Sequence, residues 1–147
     1  MSPVRRRRLL VWMLVPVVVV AGGVIGFLVY WNQTPPALGS HTSDVYRVTL
    51  SNTGGNSAPQ LPTAFIRLPD GSRVGLQIGG PIHSSGSHRA QLMIRPLLPG
   101  GSYGDGTSFP VAPGDVVREH GLRVKVLKVW AMPDWHKSAV DVQADPE

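Results

Sequence analysis

Hydrophobic and polar residues alternate one by one along several short segments of the chain after residue 44. Alternation over a few residues predicts a β-strand that buries one face, because successive side chains of a strand point in opposite directions. The segments with this pattern are 45–50, 63–68, 73–78, 89–95, 122–132 and 139–143, and two further short strands are expected around 109–111 and within 114–120. No segment after residue 31 shows a sustained helical period. The predicted fold of this part is therefore mainly β, a small antiparallel β-sandwich or partly open barrel of about 6–8 short strands.

Two local patterns add detail to this fold. The sequence Pro69-Asp70-Gly71-Ser72 stands between two alternating runs, where Pro presets φ and Gly accepts a positive φ, so a hairpin is predicted there. In the segment 122–132 the apolar positions change parity midway. Either both faces of this strand are covered, or a β-bulge near Val126 turns the second half of the strand over.

The N-terminal part of the chain has a different pattern. Residues 9–30 contain no charged side chain and directly follow four arginines, Arg5, Arg6, Arg7 and Arg8. As a helix, 22 residues cover roughly 33 Å, close to the thickness of the bilayer hydrocarbon. Residues 9–31 are therefore predicted to form a transmembrane helix that acts as a signal anchor. Aromatic side chains that favour the membrane interface stand near its two ends: Trp12, Tyr30 and Trp31.

The distribution of positive charge predicts the orientation of this helix. Four arginines precede it, whereas no Lys or Arg lies between residues 31 and 47. We therefore expect residues 1–8 to be a cytoplasmic basic tail, 32–43 a linker and 44–147 an extracytoplasmic β domain at the cell membrane. The alternative is a cleaved signal peptide with its cleavage site near residues 21–23. The apolar run continues past that site, which favours the anchor.

A pair of glycines within the predicted helix suggests a binding face. Gly22 and Gly26 have G-x-x-x-G spacing, which allows a second helix to approach closely, so a homodimer or contact with another membrane protein is one interpretation. The other is that glycine is simply common in membrane helices.

Composition excludes several classes of function. The chain has a formal charge of +5, but four of its 14 basic residues form the arginine tetrad, which leaves 14 − 4 = 10 against nine acidic residues. The remaining charge of +1 does not provide the basic strip that a nucleic-acid-binding protein needs. Cysteine is absent, which excludes disulfides, zinc–thiolate sites and thiol catalysis.

Candidate chemistry in the β domain is sparse. His83 and His88 flank a serine-rich loop, and with a further histidine they would offer a metal site or a serine hydrolase, but the spacing matches no standard pattern. No cofactor is predicted. Trp135 and Tyr103 are candidates for a partner surface, with packing of these rings into the fold as the alternative. The predicted function is a membrane-anchored binding or accessory module for an extracytoplasmic protein or envelope partner, and the alternative is an extracytoplasmic hydrolase that uses the His83–His88 loop.

Overall fold

The computed structural model describes residues 3–39, 44–50, 62–80, 82 and 88–147, with side chains in the N-terminal helix from Val17 onward. Packing divides the chain into two compact units, residues 1–33 and 34–147. The first unit is helical and the second is built from β-strands.

Helix α1 spans Pro3–Trp31. It begins before the predicted start at residue 9, so the arginine tetrad lies within its first turns. The assignment of residues 1–8 as a cytoplasmic basic tail stays a prediction. Proline is well suited to the first position of a helix, and arginine is a good helix former, which accounts for the earlier start.

Within the part of the chain that the structure describes, no helix is both long and apolar enough to cross a membrane. The described side chains of α1, from Val17 to Trp31, cover only about 22 Å at the helical rise. The predicted transmembrane assignment of residues 9–31 is therefore not confirmed by the structure, and it remains a prediction together with the orientation that depends on it.

Eight strands lie within the described residues and form two four-stranded antiparallel sheets. Sheet A has the order β1-β8-β7-β6, and sheet B has the order β2-β3-β4-β5. The strands of sheet A are β1 Val45–Thr49, β6 Val116–Glu119, β7 Leu122–Trp130 and β8 Ala139–Pro146. The strands of sheet B are β2 Ala64–Arg67, β3 Arg73–Ile78, β4 Ala90–Leu97 and β5 Thr107–Val111.

The two sheets bury a common core. Buried aliphatic side chains from the inward-facing positions of both sheets form this core, among them Val48, Val124, Val126, Val140 and Val142 from sheet A, and Ile66, Val74, Leu76, Leu92 and Ile94 from sheet B. Because these strands separate into two sheets that face one core, the fold is a sandwich rather than the alternative barrel. The prediction of a mainly β, antiparallel fold is confirmed.

The predicted hairpin and bulge are both present. β2 pairs with β3 in an antiparallel arrangement across residues 68–72, and Gly71 has a φ of 84°. In the pairing of β7 with β8 the register shifts between Val126 and Lys128, which is the bulge. β8 continues beyond its predicted end at residue 143, because it pairs with β7 as far as Pro146 opposite Leu122.

Candidate functional site

A network of polar side chains lies on the outer face of sheet A, at the centre of the sheet. Arg47 of β1 stands directly opposite Asp141 of β8. The guanidinium donates from Nε to Oδ1 at 2.7 Å and from a terminal nitrogen to Oδ2 at 2.8 Å. Trp130 Nε1 also donates to Oδ2, at 2.6 Å. Asp141 is thus a buried carboxylate whose two oxygens accept three hydrogen bonds from a cation and an indole.

The bulge in β7 determines which side chains join this network. Before the bulge, alternate residues of β7 point into the core, ending with Val126. Leu127 is the additional residue and is exposed, so Val129 resumes the inward position while Lys128 and Trp130 face outward. As a result, Lys128 Nζ lies 3.9 Å from the centroid of the Trp130 ring, within the range of a cation–π contact.

The side chains of this network are held together by charge-assisted hydrogen bonds. The hydrogen bond with Asp141 raises the pKa of Arg47, so the guanidinium remains charged. Arg47 also donates to the backbone carbonyl of Pro36, which ties the segment before β1 to the sheet. Asp141 therefore joins β1, β8 and β7 through the three hydrogen bonds that its oxygens accept.

A second group of side chains lies on the outer face of sheet B and includes Tyr103. The Tyr103 ring stacks against Phe65 with a centroid distance of 6.5 Å and an interplanar angle of 24°. The guanidinium carbon of Arg95 lies 5.9 Å from the centroid of the Tyr103 ring. Arg95 Nε also donates to the carbonyl of Gly104 at 3.2 Å, which fixes the loop that carries Tyr103. Phe65 remains 46% exposed, so the pair of rings offers an open apolar face.

Glycine at position 75 belongs to this face, because Phe65, Gly75 and Arg95 are aligned across β2, β3 and β4. A Cβ at Gly75 would lie 2.6 Å from the Pro62 ring and 3.6 Å from the Phe65 ring. The missing side chain therefore lets Pro62 pack directly on the strand beside the aromatic pair.

The other candidate aromatic residue, Trp135, occupies a short 3-10 helix, Trp135–Lys137. Asp134 caps this helix by accepting a hydrogen bond from the backbone N–H of His136. The Trp135 ring is 37% exposed and lies 3.6 Å, centroid to centroid, from the His136 ring. The two aromatic residues named from the sequence therefore have different neighbours: Tyr103 packs with Phe65, and Trp135 with His136.

The predicted histidine site falls mostly outside the described residues. His83 and the serines that follow it are not described, whereas His88 is described and exposed. Across residues 3–39, 44–50, 62–80, 82 and 88–147, no three His, Cys, Asp or Glu side chains come together to hold a metal ion. The metal or hydrolase interpretation of the His83–His88 loop remains a prediction.

The sequence-predicted residues of α1 are described only in its C-terminal half. Beyond the backbone of the helix itself, no described atom lies within 4 Å of a Cβ added at Gly22 or Gly26. The Trp31 ring stacks on Phe27 at 5.8 Å, and Tyr30 is exposed. The side chains of Arg5, Arg6, Arg7, Arg8 and Trp12 lie outside the described residues.

Sequence reasoning did not single out Arg47 or Asp141, whereas it grouped Trp130 with Trp135 and Tyr103 as aromatic residues that could form a partner surface. The one available signal was Asp141 itself, a carboxylate placed between Val140 and Val142 in an otherwise apolar run. No protein-family model, curated protein or solved structure matches this chain.

Proposed function

We propose that this chain is a single-pass membrane protein whose exported β-sandwich acts as a binding or accessory module. The observation that carries the proposal is the exposed apolar surface of α1. Val17, Val18, Val19 and Val20 are each more than 60% exposed. Because successive helical residues are about 100° apart, these four valines cover the whole circumference of the helix. A helix that is apolar all round needs apolar surroundings, which a bilayer provides.

The length and flanks of the helix support the same proposal. The backbone of α1 is helical through the whole uncharged run, residues 9–30. That run covers roughly 33 Å and ends at Tyr30, which Trp31 follows, and both side chains suit the membrane interface. The arginines at the other end favour a cytoplasmic N-terminus, and residues 44–147 then lie outside.

The proposal of a binding module is supported by the surfaces of the sandwich. Both outer faces carry aromatic rings next to cationic side chains, the Trp130–Lys128 pair on sheet A and the Tyr103–Arg95 pair on sheet B. Aromatic and arginine side chains are enriched where proteins recognise partners.

Cysteine labelling tests this topology, because the natural chain contains no cysteine. In intact cells that produce Ser102→Cys, an impermeant maleimide should label the exposed loop of the β domain. Ser2→Cys should be labelled only after the cells are permeabilised. Both variants should remain in the membrane pellet after carbonate extraction.

A matched control addresses the role of α1 itself. Val19→Lys combined with Val24→Lys places two charges within the apolar run, and each costs roughly 3 kcal/mol on insertion. This variant should appear in the carbonate supernatant. Extraction of the parent protein by carbonate, or labelling of Ser2→Cys in intact cells, would overturn the proposal.

Association through α1 is tested separately. If Gly22 and Gly26 form a helix-packing face, Gly22→Ile with Gly26→Ile should abolish self-association in a membrane two-hybrid assay. Gly23→Ile adds the same bulk about 100° around the helix and should retain association. Unchanged association in the double variant would remove this part of the proposal.

A further inference from the structure

We propose that the outer face of sheet B binds an anionic sugar polymer, with its oxyanions at Arg67 and Arg73 and its sugar rings against Phe65 and Tyr103. The inference rests on the proposed function, because it names the class of ligand that the exported module would take.

The first observation is a pair of like charges. Arg67 of β2 and Arg73 of β3 are directly opposite each other, and both are exposed. Like charges at directly opposed positions destabilise a sheet. Among the described residues neither arginine has a carboxylate within ion-pair distance. Asp70, in the turn between the two strands, instead accepts hydrogen bonds from Ser72 at 2.9 Å and 2.6 Å.

An oxyanion between these guanidinium groups would relieve their repulsion. Arginine presents its N–H groups as a planar fork that matches carboxylate and phosphate oxygens in pairs. The two side chains therefore favour a carboxylate or a phosphate over a neutral ligand.

The second observation is a shallow cavity of about 300 Å³ beside the pair. Its wall includes Arg73, the tight turn at Gly71 and Ser72, and the apolar segment Leu97–Pro99. Arg73 therefore belongs both to the charged pair and to the cavity. A volume of this size is at the lower end for small-ligand sites, which suits one ring of a longer molecule rather than a complete buried ligand.

The third observation is the position of the aromatic pair. Phe65 lies two residues before Arg67 on the same face of β2, so their backbones are roughly 7 Å apart. The exposed Phe65 ring and the half-buried Tyr103 ring present an apolar surface of the kind on which the C–H faces of sugars pack. Cation and ring are thus spaced along one strand, so a single polymer chain could place an acid group at the arginines and a sugar ring at the aromatic pair.

The same observations disfavour two other ligands. An extended peptide would add as a further strand along the edge strand β2, whereas the arginine and aromatic side chains named here project from the face of the sheet. A nucleic acid would need a longer basic strip than the +1 charge after residue 31 provides.

Calorimetry on the full chain in neutral detergent tests whether sheet B binds an anionic sugar polymer. Polygalacturonate is the carboxylate probe, phosphorylated dextran is the phosphate probe and unmodified dextran is the neutral control. We expect binding to at least one anionic polymer, which identifies the oxyanion, and no binding to unmodified dextran. Arg67→Gln with Arg73→Gln should weaken binding at least tenfold. Phe65→Ala should weaken it at least threefold.

The matched control is Arg123→Gln with Lys125→Gln, which removes the same charge from exposed positions of β7 on the other sheet. This variant should bind within twofold of the parent. If the Arg67 and Arg73 variant and the Arg123 and Lys125 variant lost the same amount of affinity, the proposal would be overturned, because net charge alone would then explain binding. The unfolding temperature of the Arg67 and Arg73 variant should equal or exceed that of the parent, because the two substitutions remove the repulsion between the arginines.

Three further results would overturn the proposal: no binding of either anionic polymer, equal binding of unmodified dextran, or equally tight binding of polyglutamate with no effect of Phe65→Ala. Tight binding of polyglutamate would indicate that the ligand is an acidic peptide.

The binding test is independent of the membrane topology of the chain. Failure to bind leaves the cysteine-labelling result intact, and labelling of Ser2→Cys in intact cells would overturn the export proposal without changing these affinities.

Discussion

Asp141→Ala should destabilise the β-sandwich by about 3 kcal/mol. The substitution removes the acceptor of three hydrogen bonds and leaves the guanidinium of Arg47 and the indole N–H of Trp130 without their partner. Removing one member of a buried ion pair costs roughly 3–5 kcal/mol. The Arg47 side chain is 18% exposed and regains some hydration, so the lower end of that range applies.

Urea unfolding of the full chain in neutral detergent, followed by tryptophan fluorescence, measures this loss. With a denaturant slope near 2 kcal/mol per molar, a loss of about 3 kcal/mol lowers the urea midpoint by roughly 1.5 M. Arg118→Ala is the matched control, because it breaks the ion pair with Glu147, in which the two side chains are 63% and 42% exposed. An exposed pair of this kind contributes no more than about 1 kcal/mol.

A double substitution separates two costs: the stability lost with the Arg47–Asp141 ion pair itself, and the stability lost because Arg47 remains without a partner. Arg47→Met with Asp141→Leu removes both charges and replaces them with apolar groups, so part of the lost stability should return, although the indole N–H of Trp130 still lacks its acceptor. The reasoning is refuted if Asp141→Ala unfolds within 1 kcal/mol of the parent, or if the double variant is no more stable than the single one.

Two further predictions concern sheet B and its hairpin. Gln77 is buried and its Oε1 has no hydrogen-bond partner among the described residues. Gln77→Leu should therefore raise the free energy of unfolding by about 1 kcal/mol. A loss of stability in the same urea assay would contradict this account. Hydrogen bonds from Ser72 lower the pKa of Asp70 below its ordinary 3.8. Because the folded-state pKa is the lower one, the stabilisation by Asp70 is present above the unfolded-state pKa and is lost as the pH falls through the folded-state pKa. Carboxyl NMR titration should show this lowered pKa, and Ser72→Ala should bring it back towards 3.8, whereas an unchanged titration in that variant would contradict the assigned cause.

Much of the fold follows from local pattern. The alternation in 73–78 predicts which residues of β3 face the core, because a strand has no freedom to change parity without a bulge. It does not predict that Gly75 and Gln77, on the opposite face of β3, are buried as well. Where parity does change, after Val126, the sequence alone indicates the bulge as one of two solutions. The turn at residues 69–72 is predicted for the same local reason, since backbone dihedral preferences act within a few residues.

The tertiary structure decided which strands are neighbours. β1 and β8 come from opposite ends of the sandwich sequence, and their pairing brings Arg47 and Asp141 together across 94 residues. It also decided that Arg67 faces Arg73 and that Phe65 meets Tyr103. Alternation reports which face of a strand is buried but carries no information on its partner. Strand pairing depends instead on how all the apolar faces are covered at once, and the sites on both sheets arise from that global arrangement.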